Sequence, residues 1–138
     1  MDLSAAQLGV IFVLALMAIA FGQSAWDKVA DFKGNLTWLE GHFAKSPFAR
    51  SVRPMLVTVA LAEAISAALC LVGIGEIVVN PYSPHQLATG AMIACAVTLL
   101  MLFTGQRVAK DYPGAATLAT YGLLVLGGFF GLHLAASL

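Results

Sequence analysis

The sequence predicts an all-α, polytopic membrane protein. It reads as one transmembrane domain over residues 1–138, a four-helix bundle with a short amphipathic interfacial segment between the first and second helices. Three observations carry this. The chain is 60% apolar and only 10% charged, with a mean hydropathy of +0.90, whereas soluble domains carry charge on about a quarter of their residues. Its apolar residues fall into four runs of membrane-spanning length, without the alternation that marks the strands of a transmembrane barrel. All seven lysines and arginines lie in two of the connections between those runs. The formal net charge is zero and no basic run is present, so composition calls for a lipid bilayer as partner and gives no reason for nucleic acid.

Span one covers about Leu3 to Ala25. It has no basic region before it and no small-residue cleavage site after it, so it reads as a retained helix and not as a signal peptide. The connection from Trp26 to Arg53 is long and repeatedly aromatic, through Phe32, Trp38, Phe43 and Phe48, and belongs on the membrane surface. Thr37 and Glu40 have the spacing of a capping box opening a short helix there, and Ser46-Pro47 starts a further turn. Asn35-Leu36-Thr37 matches a glycosylation pattern but lies on the basic, cytoplasmic side.

Span two, Pro54 to Val79, is the longest; at about 1.5 Å per residue it extends about 39 Å, more than a hydrocarbon core of about 30 Å. Asn80-Pro81-Tyr82-Ser83-Pro84 then makes a stiff turn, so spans two and three, the latter from about Gln86 to Thr104, are antiparallel neighbours. Asp111-Tyr112-Pro113-Gly114 closes the next turn and opens span four, about Pro113 to Ala136, with Pro113 in its first turn. Lys28, Lys33, Lys45, Arg50 and Arg53 precede span two, and Arg107 and Lys110 precede span four; the positive-inside rule places both connections in the cytoplasm and both termini outside. Small residues at Ala18 and Gly22, at Ala60, Ala64 and Ala68, at Gly90 and Ala94, and at Gly127 and Gly131 form small-xxx-small faces suited to helix packing. Gly22-Gln23 before Asp27-Lys28 is echoed by Gly105-Gln106 before Lys110-Asp111, a match short enough for chance to explain.

Chemistry centres on Glu63, the carboxylate about 13 Å inside span two. An ionised carboxylate at that depth costs several kcal/mol unless paired, protonated or hydrated. Two readings stand: a proton- or ligand-binding group, or a neutral hydrogen-bonded residue that fixes helix register. No basic residue is expected within the spans to answer it. Tyr121 and Thr98 reach similar depth, and with Gln106 they outline a polar cavity in the inner half, whose hydroxyls can hold a carboxylate or share a proton with it. Trp26, Asp27, Lys28, Lys33 and Trp38 form a mixed aromatic and charged surface that reads as a solvated interface or as a docking site for a partner subunit.

Cys70 and Cys95 lack metal or redox spacing and read as packing residues. Glu76, His85 and His133 all fall toward the outer face, but from separate segments and without a diagnostic spacing, so no metal site is assigned. With only His133 inside a span, a bis-histidine haem is excluded, and no flavin, iron-sulfur or nucleotide motif occurs.

The pattern resembles the DoxX family of small four-helix membrane proteins. The resemblance is carried by Phe21-Gly22 with Lys28 closing span one, the aromatic segment ending at Ser46-Pro47, Ala62-Glu63 followed by Leu71-Val72-Gly73, and the Phe103 to Lys110 exit of span three. It covers nearly the whole chain and departs at Ala64-Ile65-Ser66, where glycines are often seen. It implies a small accessory subunit of a quinone-linked or respiratory redox complex in a bacterial cytoplasmic membrane, with other membrane subunits as partners and no activity of its own. A proton or small-solute carrier using Glu63, or a purely structural subunit, are the rival expectations.

Overall fold

The computed structural model describes residues 2–137 and is all-helical over them. Five helices follow one another: α1 (Ala5–Ala30), α2 (Phe32–His42), α3 (Val52–Val79), α4 (Gln86–Val108) and α5 (Tyr112–Ala136). All but α2 are long and apolar enough to cross a membrane, and the protein is a multi-pass membrane protein. α1 packs on α3 and α5, and α4 packs on the same two, so the four long helices close a ring; α2 packs lightly on α1 and α3, and its last residue, His42, reaches Gln106 of α4.

Local chemistry sets the helix ends. Ser4 and Gln7 form a reciprocal capping box that starts α1. Asp31 ends α1 and opens α2, its carboxylate accepting from the backbone N–H of Gly34 at 3.2 Å. The capping box expected at Thr37 and Glu40 is therefore absent: both lie inside α2, and the Thr37 hydroxyl donates back to Lys33 O at 3.0 Å. α3 carries Pro54 in its first turn, where a missing N–H is harmless. Glu76, near the end of α3, accepts from Ala88 N at 2.9 Å and so caps α4, whose own preceding residue, His85, takes a left-handed conformation with φ 49°. Asp111 caps α5 by accepting from Gly114 N at 3.0 Å.

Two boundaries differ from expectation with consequences. α1 runs on to Ala30 instead of stopping near Ala25, and α4 runs to Val108 instead of Thr104. Polar residues counted as loop are thus fixed on helix faces. The two echo segments part company here, because Lys28 is within α1 whereas Lys110 sits in a left-handed turn with φ 61°.

The core is made by Leu14, Met17, Cys70, Ile77, Met92 and Cys95, all essentially inaccessible. Large apolar side chains such as Phe12, Ile19, Leu61, Leu100, Leu123 and Phe130 are more than half exposed on the bundle's outside, as lipid contact requires. The small-xxx-small faces are used in part: Gly22 meets Ala67 and Gly131 meets Val10, whereas Ala64, Ala68 and Gly127 are exposed. The tight points are Gly73, where a Cβ would lie 2.8 Å from Ala88 Cα, and Gly131, where it would lie 2.8 Å from a Val10 methyl.

Candidate functional site

The extension of α1 creates the site. Buried positions Val10, Leu14, Met17 and Phe21 form a stripe at helical spacing, and continuing it by three and seven residues reaches Ser24 and Lys28. Both therefore turn toward α3, where Glu63 projects from the opposite wall with only 1% of its surface exposed. Lys28 Nζ stands 2.9 Å from Glu63 Oε2 and 3.3 Å from Oε1. The Ser24 hydroxyl donates to Oε1 at 2.9 Å and accepts from Lys28 Nζ at 2.6 Å. A carboxylate, an ammonium and a hydroxyl are thus locked in a triangle inside an apolar bundle. The expectation that Glu63 has no basic partner in the spans is corrected: Lys28, placed by sequence in a surface cluster, is that partner.

The triangle leaves acceptor capacity unused. Oε2 is buried and, although close to the ammonium, no hydrogen bond is aligned on it among the described residues. Glu63 borders a cavity of about 360 Å³ between α1, α4 and α5, lined also by Gln23, Ser24, Asp27, Leu118 and Tyr121. Tyr121 thus shares a cavity with Glu63 across the bundle. Thr98 and Gln106 do not. Thr98, buried one turn from Glu63 along the α3/α4 seam, bonds Ser66 Oγ at 2.9 Å and Ala62 O at 3.4 Å. Farther along that seam the Cys70 and Cys95 sulfurs touch at 3.4 Å as free thiols. Gln106 Oε1 meets His42 Nε2 at 3.0 Å and belongs to the region under α2. The hydroxyls of Thr58, Thr104, Thr117 and Thr120 are exposed and donate to carbonyls of their own helix four residues back.

The surface group is split. Trp26, Trp38 and Lys33 are exposed, Asp27 borders the Glu63 cavity, and Lys28 is turned inward with 15% of its side chain exposed. His42, which sequence reasoning passed over, links α2 to the α4–α5 turn: beside Gln106 it lies 3.8 Å from Asp111 and stacks on Trp38 at 4.6 Å between ring centres. The T-W-L-E-G-H run carried a signal, because Trp38 and His42 are four apart on a helix.

At the other end of the bundle, Gln7 Nε2 donates to Pro81 O and to His85 Nε2, the latter at 3.2 Å, while the opposite ring nitrogen of His85 faces Ser83 Oγ at 3.1 Å. His85 and Glu76 are thereby occupied in closing the turn, and His133 is exposed. Among the described residues no three His, Cys, Asp or Glu side chains converge in a way that could hold a metal ion. Comparison with protein-family models, with curated proteins and with solved structures finds no match.

Proposed function

We propose that this chain is a DoxX-like accessory subunit of a membrane redox complex, without catalytic activity of its own, that contacts quinone beside the Lys28–Glu63 pair. In this reading it lies in a bacterial cytoplasmic membrane with the basic connections inside and both termini outside, and other membrane subunits cover part of its surface. The observation that carries it is the buried Lys28–Ser24–Glu63 triangle beside a cavity within helices otherwise fit for lipid. Such a pair costs desolvation, and hydrophobic replacements often match its stability, so a role beyond stability accounts for it better. A quinone needs an apolar slot with a few fixed donors for its carbonyl oxygens, and the Tyr121 hydroxyl, which lines the Glu63 cavity, is of the right type.

The test is extraction from the native membrane in mild detergent, native separation, and identification of proteins and cofactors that travel with the chain. Co-migration with haem- or flavin-bearing subunits and stoichiometric quinone is the expected result; a lone chain carrying only lipid overturns the reading. A second reading, a proton or small-solute carrier, draws on the cavities that flank the ion pair on two sides, since Glu63 borders one and Lys28 the other. Uptake into reconstituted vesicles that persists unchanged in Glu63→Gln would remove it.

A further inference from the structure

Lys28 faces a cavity that the Glu63 site does not use. It lies under α2, about 100 Å³ in volume, roofed by Trp38, Leu39 and Phe43 and walled by α3 and α4. Its lining is apolar except at Lys28 and Gln106. The Gln106 amide oxygen is taken by His42, and its amide nitrogen has no partner among the described residues. Met55, Val59, Met101 and Gly105 also border a groove of about 610 Å³ along the outside of α3 and α4. The cavity and that groove therefore share an apolar wall, with Lys28 and Gln106 the polar groups at the cavity's inner end.

Size and charge narrow the occupant. A dry cavity of about 150 Å³ holds one benzene ring, so at about 100 Å³ this one takes a ring only with part of it extending past the shared wall toward the groove. The Lys28 charge is already matched by Glu63, so the cavity's inner end has no net charge to receive a phosphate or carboxylate headgroup. A neutral hydrogen-bond acceptor on a flat ring suits it, with Trp38 and Phe43 as aromatic neighbours.

We propose that this cavity binds a lipid-dissolved compound made of one carbonyl-bearing ring and an apolar tail, with the ring under α2, a carbonyl oxygen accepting from Gln106 Nε2, and the tail in the α3/α4 groove. This rests on the quinone-linked reading for the choice of ring and gives that ring a place and a lateral route. α2 is its roof, held by the His42–Gln106 contact.

The chain carries two tryptophans, so Trp26→Phe leaves Trp38 as the sole emitter, at the cavity wall. In zwitterionic nanodiscs, a benzoquinone with a decyl tail should quench Trp38 saturably, and decylbenzene, which lacks the carbonyls, should not displace it. A Cβ on Gly105 would stand 3.7 Å from the Phe43 ring, so Gly105→Ala fits and Gly105→Leu fills the cavity. Gly105→Leu should raise half-saturation at least about tenfold, equivalent to about 1.4 kcal/mol, and Gly105→Ala should keep it. Gln106→Leu, losing one neutral hydrogen bond, should raise it about fivefold. Quenching that grows in proportion to membrane quinone without saturating, or that is identical in Gly105→Leu, overturns the proposal. A photoreactive azidobenzoquinone with the same tail needs no substitution: it should label α2 and the Met101 to Gln106 segment. Labelling confined to α5 around Tyr121 would overturn this site while leaving quinone contact at Glu63 standing. Saturable quenching of a chain that migrates alone would keep the site and remove the accessory role.

Discussion

The two ends of the bundle are built from the same kind of helix and packed to opposite effect. At the end where α3 turns into α4, Gly73 meets Ala88, Gly131 meets Val10, Ile77 is fully enclosed, and Gln7, Glu76 and His85 satisfy the turn's polar atoms. At the basic end the helices stand apart around two cavities, and an ion pair sits in the wall between them. Small residues allow backbone contact and exclude ligand; long polar ones hold helices apart and leave room for it. The helices are closed on one another at the first end, where a cavity of about 490 Å³ lies beside the Pro81 to Pro84 turn and not between their buried faces, and open at the second, where the ion pair sits.

The largest expected effect breaks the open end. Glu63→Gln leaves the Lys28 ammonium buried without its carboxylate, which should cost about 3–5 kcal/mol in unfolding from mixed micelles. Glu63→Leu combined with Lys28→Met should recover most of that loss, because both charges go together; a double variant as unstable as the single one would contradict the pairing. Next comes packing density. Ile77→Ala at the closed end should cost about 3 kcal/mol, whereas Leu118→Ala, beside the Glu63 cavity, should cost about 1 kcal/mol, since one removes a fully packed side chain and the other enlarges an existing space. Equal losses would erase the contrast between the ends.

The contrast sharpens within a single turn of α3. Gly73→Val drives a side chain into Ala88 backbone and should cost about 2 kcal/mol. Gly75→Val two residues later meets open space and should change thermal stability by less than about 0.5 kcal/mol. Last comes the cap: Asp111→Ala removes the acceptor for Gly114 N and should cost about 1 kcal/mol, read as a lowered melting temperature with the fold intact by circular dichroism.

Spans and turns were legible because lipid demands long apolar helices, and runs such as Pro54 to Val79 have few alternatives. Glu63 and Tyr121 were legible by depth, and the structure puts them on one cavity. Lys28 was misplaced because hydropathy falls after Ala25, while the helix is sustained by backbone bonds to Ala30 and presents Ser24 and Lys28 on the face begun by Val10. Periodicity carried past the hydropathy boundary would have found them. Thr98 and Gln106 share Glu63's region in sequence depth, yet rotation about α4 assigns one to the α3 seam and the other to α2. The Gly73–Ala88 contact was beyond reading, since which of many small residues meet depends on the crossing of two helices.

The Lys28–Glu63 pair also orders events during synthesis. α1 emerges with an ammonium near one end, and its counter-charge arrives only when α3 has been made, with all of α2 between them. Apart, the Glu63 carboxylate on α3 has no counter-charge at its depth in the apolar segment, a cost that the approach of α1 removes. Meeting of the two helices matches both charges at once, so the pair favours α1 against α3, the two helices on which α4 and α5 also pack.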